Sequence, residues 1–149
     1  MKSILIYTVL LLVLMLTGCS AETDKAAIQP HAAGKTTPIL NLNNGQKWRA
    51  DEATTSSILN MQQAMETFIM KADFSSAKAY QQLGQELRGE LNNTYRNCTM
   101  TGSAHVELHK FLVPIEDDVK ILLGEDAKAA SNAQLRIEER LMMYQTFFD

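Results

Sequence analysis

The residues beyond position 50 predict an all-α protein, an up-down-up-down antiparallel four-helix bundle standing behind a signal peptide and a flexible tether. Three observations carry that expectation. Apolar residues recur at alternating intervals of three and four along four successive stretches. Short links bearing Gly, Ser, Thr or Asp separate the stretches, as antiparallel neighbours require. No stretch alternates with period two over the length of a strand.

At the N-terminus, Lys2 precedes an apolar run from Ile4 to Leu16, the charge-then-apolar order of an export signal. The run is shorter than the roughly 20 apolar residues of a membrane span. It stops at Leu16-Thr17-Gly18-Cys19, and Ser, Glu, Thr, Asp and Lys follow within six residues. Those four residues resemble the lipobox of bacterial lipoproteins. The resemblance implies that residues 1–18 are a signal peptide and that Cys19 becomes the lipid-bearing first residue, anchoring the chain in the cell envelope. One acyl chain holds only marginally, whereas two or three make attachment effectively permanent. Ser20 stands where many lipoproteins retained at the inner membrane carry aspartate, which favours the outer membrane.

Residues 19–46 are poor in large apolar side chains, and Pro30, Gly34 and Pro38 interrupt any regular element. This segment is expected to be a lipidated flexible tether, with His31 solvated in it. Asn44-Gly45 is a turn signal, and Trp48 marks the entry to a bundle domain over 47–149. Removal of Lys2 with the signal leaves 13 basic and 17 acidic residues, a net charge of about −4 with histidine neutral. Lys and Arg are scattered singly among acids, so nucleic acid is excluded as a partner.

Within the bundle, Asp51 is the expected N-cap of a first helix whose stripe is Ile58, Met61, Met65, Phe68 and Ala72. A second helix starts at Asp73 or Ser75 and buries Ala77, Tyr80, Gly84, Leu87, Leu91 and Cys98, with Tyr95 beside that stripe. Thr101-Gly102-Ser103 breaks the chain, and His105, Leu108, Leu112, Ile115, Val119 and Leu122 form the third stripe. Pro114 lies inside it without a phase change, which predicts one kinked helix that leaves the Lys110 carbonyl without its donor. The last helix starts between Asp126 and Ser131 and carries Ala133, Ile137, Leu141, Tyr144 and Phe148 to the C-terminus.

Antiparallel order gathers Cys98, Met100, His105 and His109 at one end of the bundle, with Met142, Met143 and Tyr144 approaching and Met61 deeper. His105 and His109 are four apart, so their rings leave one helix face and can share an ion. Imidazoles, a thiol and thioethers together suit Cu(I), or Zn(II) without the thioethers. Acylation of Cys19 would leave Cys98 with no intramolecular partner in a compartment where thiols oxidise, so it must be buried, paired with another molecule or coordinating. The competing reading makes Met61, Met65, Met142 and Met143 core filler and the histidines ordinary hydrogen-bonded residues.

The segment Cys98-Thr-Met-Thr-Gly-Ser-Ala-His105-Val-Glu-Leu-His109-Lys-Phe-Leu-Val-Pro114 resembles a signature of small uncharacterised bacterial lipoproteins with a C-terminal helical bundle, and Asn43-Asn44-Gly45-Gln46-Lys47-Trp48 is similar to their second common element. The resemblance covers about the last 105 residues. It implies a bundle in the envelope and brings no catalytic residues. The pair Cys98 and Met100 is similar to the Cys-x-Met of helical periplasmic heavy-metal domains, on two residues only.

Enzyme signatures are lacking. His105-Val-Glu-Leu-His109 places Glu107 about 200° round the helix from His105 rather than directly after it, so this is not the zinc-protease motif. There is no Cys-x-x-Cys-His, phosphate-binding glycine loop or Gly-x-Ser-x-Gly elbow. A Cys98/His105 nucleophile pair lacks a third group on the sequence, and a haem held by one Met and one His is the remaining bundle chemistry. Two expectations follow for a chain that is not an enzyme. One is an envelope metal-binding protein that buffers or transfers copper or zinc through Cys98, Met100, His105 and His109. The other is an interaction or structural module of the envelope that docks a protein partner.

Overall fold

The computed structural model describes residues 37–71 and 74–149, so the expectations at residues 1–18, Cys19 and His31 lie outside it. Helix α1 spans Glu52–Lys71, α2 Ala77–Asn97, α3 Gly102–Leu122 and α4 Ala127–Met142, with a single turn α5 at Tyr144–Phe147. No helix among the described residues is long and apolar enough to cross a membrane.

Local chemistry places these ends. Asp51 caps α1 by accepting the Thr54 N–H at 2.7 Å, and Asp126 caps α4 by accepting those of Lys128 and Ala129 at 2.9 and 3.0 Å. Asn43 and Gln46 exchange two main-chain hydrogen bonds around Asn44 and Gly45. Both central residues have positive φ, 51° and 85°, which is why Asn-Gly stands there.

The four long helices pack as an all-α bundle, and successive helices run in opposite directions. The Phe68 and Tyr80 rings, 5.2 Å apart, join the end of α1 to the start of α2. Gln81 of early α2 donates to the Gly124 carbonyl just past α3 at 2.9 Å. Between α3 and α4, Asp118 meets Arg136 and Phe111 meets Arg140, so one number rises as the other falls. The expected stripe residues Ile58, Met61, Met65, Phe68, Tyr80, Leu87, Leu91, Leu108, Leu112, Ile115, Val119, Leu122, Ala133, Ile137 and Leu141 are all buried. Each large aliphatic or aromatic side chain among them stabilises the fold by about 1.5–3 kcal/mol relative to exposure.

Helix α3 runs unbroken through Pro114. The carbonyl that proline leaves without an N–H is not orphaned: Arg140 of α4 donates from Nη2 to the Lys110 oxygen at 2.6 Å and from Nε to the Phe111 oxygen at 3.3 Å. Its guanidinium also lies 5.6 Å from the Phe111 ring centroid. A side chain from the neighbouring helix thus replaces the missing main-chain donor.

Two boundaries differ from the sequence expectation. The last helix does not reach the C-terminus: Met143 interrupts it, and Phe148 is extended with φ −129° and ψ 151°. Phe148 is 1 % exposed, stacks on Tyr144 at 5.1 Å and meets Phe111 edge-on at 5.8 Å. Its aromatic burial and the main-chain pairing described next outweigh another helical turn.

The packed chain also begins before Trp48, since Leu40 is buried and the Asn41 N–H donates to Glu107 at 3.1 Å. Residues 37–50 therefore form a strap rather than the end of a tether. Trp48 Nε1 donates to the Asn41 carbonyl at 2.6 Å. The Trp48 N–H donates to the Phe147 carbonyl, the Trp48 carbonyl accepts from the Asp149 N–H, and the Ala50 N–H donates to the Asp149 carbonyl. Ile39, Leu40 and Leu42 form too short an apolar group to show a period, and only Leu40 of the three is buried.

Candidate metal centre

The turn between α2 and α3 is held from below by Asp51. Its Oδ2 accepts the Thr99 N–H and, at 2.9 Å, the Thr99 hydroxyl, while Oδ1 caps α1. Burial alone would raise this carboxyl, but the hydrogen bonds from Thr54 and Thr99 outweigh it and hold the group well below the usual carboxylate range. One carboxylate therefore fixes both the start of α1 and the turn that separates Cys98 from His105.

That turn lets α3 start at Gly102, whose φ of 63° no branched side chain adopts easily. Cys98 closes α2 and His105 stands in the first turn of α3, so the thiol and the ring meet across the link. Cys98 Sγ lies 3.7 Å from His105 Nδ1. One helical turn on, His109 Nε2 lies 3.0 Å from His105 Nε2, with the two rings edge to face at 4.5 Å. All three side chains are half-buried.

The arrangement is a row rather than a cage. Cys98 faces one nitrogen of His105 and His109 the other, and among the described residues no three His, Cys, Asp or Glu side chains converge as a ready-made ion cage. Two donors held at about 2.3 Å (sulfur) and 2.0–2.1 Å (nitrogen) from one ion, at tetrahedral to trigonal angles, lie about 3.5–3.7 Å apart. The Cys98–His105 edge has that length. The 3.0 Å between the Nε2 atoms matches a ring-to-ring hydrogen bond, one imidazole donating and the other accepting. The same row supplies, in His109, the third group that a Cys98/His105 nucleophile pair lacked on the sequence.

Tyr95 completes the site, a residue that sequence reasoning placed only beside the stripe. Its ring stacks on His109 at 5.8 Å with 19° between planes, and its hydroxyl donates to Glu116 at 3.1 Å. Glu116 in turn pairs with Lys120 at 2.9 Å. Burial, then the Glu116 hydrogen bond and the negative charges of Glu116 and Asp117, push the phenol up to about 12. Tyr95 is thus a neutral wall that orients His109. Its spacing, three residues before Cys98 on the same helix, is the signal that could have found it.

The methionines behave differently. Met100 packs against the core and lines a groove with Arg49, Asp51 and Ala104. Among the described residues no hydrogen bond joins its sulfur to either histidine. Met61 and Met65 are core residues, Met142 is 67 % exposed, and Met143 lines a cavity beside Pro114. Among the described residues no hydrogen bond joins Met142 or Met143 to His105 or His109; α4 ends at Met142, and Met143 stands with Pro114 instead.

No protein-family model, curated protein or solved structure matches this chain.

Proposed function

We propose that this chain is a lipid-anchored envelope protein that holds one soft transition-metal ion, Cu(I) or Zn(II), on the Cys98–His105 edge for buffering or transfer. The observation that carries the reading is the 3.7 Å separation of Cys98 Sγ and His105 Nδ1 with His109 on the other ring nitrogen. An ion here displaces the thiol proton and takes Sγ and Nδ1, leaving positions open to an incoming donor, as a transfer site needs. His109 acts on the far nitrogen, fixing the His105 tautomer in the way outer partners of metal-bound histidines do. Met100, two residues from Cys98, is the thioether that a side-chain turn would add for Cu(I). The export signal and Leu16-Thr17-Gly18-Cys19 support the envelope location.

The test is titration of reduced, tag-free, full-length protein in detergent with Cu(I) and Zn(II), read by elemental analysis and melting temperature. One equivalent should bind and raise the melting temperature, by the linkage that gives about 2.7 kcal/mol at one hundred times the dissociation constant. Cys98→Ser and His105→Ala should abolish both effects. His109→Ala should weaken binding about 10–100-fold, and His31→Ala should change nothing. Cys19→Ala should leave an unprocessed or soluble chain. Absence of bound metal and of any melting shift overturns the metal reading, and docking of a protein partner takes its place.

A further inference from the structure

Helices α1 and α4 meet along a seam whose register three side-chain contacts fix. The Thr55 and Tyr144 hydroxyls lie 3.1 Å apart, Gln62 Nε2 donates to the Leu141 carbonyl at 2.9 Å, and Gln134 Nε2 donates to the Met65 sulfur at 3.5 Å. At 3.6 residues per turn, Thr55, Leu59, Gln62, Glu66 and Ile69 follow one line down α1, with Met70 beside its end. On α4, Leu135 and Met142 each stand one residue past a seam residue, Gln134 and Leu141, and share a face with Glu138 between them. The two lines border the same seam.

Both lines are apolar where they meet solvent. Leu59, Met70, Leu135 and Met142 are each more than half exposed, and Ile69 is 40 % exposed. None belongs to the stripes that build the core, so burial inside the bundle does not account for them. Two carboxylates stand among them, Glu66 exposed and Glu138 half-buried. Among the described residues neither pairs with a lysine or arginine, and no Lys or Arg occupies either line. Apolar side chains gathered on a solvent face mark an interaction surface, and methionine adapts such a surface to its partner. Unanswered negative charge beside them selects a positive partner.

We infer that this seam docks an amphipathic helix of a partner protein, its apolar stripe against Leu59, Ile69, Leu135 and Met142 and its Lys or Arg flank against Glu66 and Glu138. From Leu59 to Met70 the helix rises about 16 Å, the length of three turns, which matches anchors at i, i+3 or i+4, and i+7. The same carboxylates disfavour an anionic lipid surface, which attracts basic segments. The inference stands apart from Cys98 and holds whether or not an ion binds there.

Full-length protein in zwitterionic detergent, labelled with ¹³C-methyl methionine, tests this through the Met70 and Met142 methyl resonances, identified by their loss in Met70→Leu and Met142→Leu. The probe is a synthetic peptide of about 14 residues with leucine at helical spacing and lysine elsewhere. It should move both methyls saturably below about 0.1 mM, while the Met100 methyl in the α2–α3 turn holds still. Glu66→Lys and Leu135→Ser, both at exposed positions, should each weaken binding roughly tenfold in the same detergent. No saturable movement up to about 1 mM overturns the inference. An equal response in both variants, or to a peptide with glutamate in place of lysine, overturns it too. Movement of the two methyls on dilution of the protein alone assigns the face to a second copy, and their relaxation by a spin-labelled lipid without peptide assigns it to the membrane; either result overturns the inference.

Discussion

Pro114 removes one N–H from the middle of a helix, and the carbonyl it would have served lies on the side facing α4. Arg140 reaches that carbonyl and its neighbour from the last turn of α4, so the two residues form one unit although 26 positions separate them. Arg140→Met should leave the Lys110 carbonyl buried and unpaired, costing about 1–3 kcal/mol in urea unfolding. In a Pro114→Ala background the restored N–H takes over that carbonyl, and the cost should shrink by at least about 0.5 kcal/mol. Equal costs in both backgrounds would show that Arg140 stabilises by packing alone. Asp51 acts at the same scale. Its carboxyl is depressed in the folded state, so the stability it contributes is present above the unfolded value of about 3.9 and is lost as pH falls below it toward the folded value. Melting temperature should therefore fall with acid below about pH 4, and Asp51→Asn should flatten that slope.

At the scale of elements, α2 packs tightly against the end of α3 at Gly84. A Cβ there would stand 3.0 Å from Leu122 Cβ and 3.1 Å from Leu123 side-chain carbons. Gly84→Ala should destabilise by about 1–3 kcal/mol. Gly89, five residues on in the same helix, would meet nothing within 4 Å, and Gly89→Ala should stabilise by about 0.5–1 kcal/mol. If both changes stabilise in thermal melts, the interface at Gly84 is looser than its geometry. The four stripes were legible because burial repeats with the helical period, and the caps Asp51 and Asp126 because side-chain oxygen answers a local N–H. Buried Glu107 and Asp118 were not legible. Their partners, Asn41 and Lys110 for one and Arg136 for the other, include residues far away in the chain, which no local pattern encodes. At the candidate site, the meeting of Cys98, His105 and His109 followed from one short turn and an i,i+4 pair. Met100's direction did not, since a side chain in a turn goes where packing takes it, here toward the core.

At the scale of the molecule, the strap and the C-terminal residues close the bundle together. Phe148 is the keystone of that contact, with its ring among Tyr144 and Phe111 and its backbone in a parallel bridge with Trp48. Phe148→Ala keeps the main-chain bonds and removes the ring, so it should cost about 3–5 kcal/mol in urea unfolding. A cost below 1 kcal/mol would mean that the helices hold without this closure. The sequence put Trp48 at the entry to the packed domain and Phe148 on a buried stripe, but not the main-chain bridge that joins them. Phe148 fits the helical stripe of α4 by spacing, and only the presence of Trp48 opposite makes extended backbone the better choice.

The bridge between Trp48 and Phe148 also sets an order in time. The two residues lie about 100 positions apart, and closing so long a loop is entropically unfavourable until the helices between them have drawn the ends together. A folding chain can wind α1, α2 and α3 from local contacts, yet Trp48 has no main-chain partner until residues 147–149 are drawn to it. The main-chain bridge at Trp48 thus closes last in folding. Trp48 is the sole tryptophan, so its emission isolates that closing event from helix formation, which circular dichroism follows separately. In stopped-flow refolding the helical signal should lead and the indole signal should lag, making the molecule its own clock for the moment at which its first and last packed segments join.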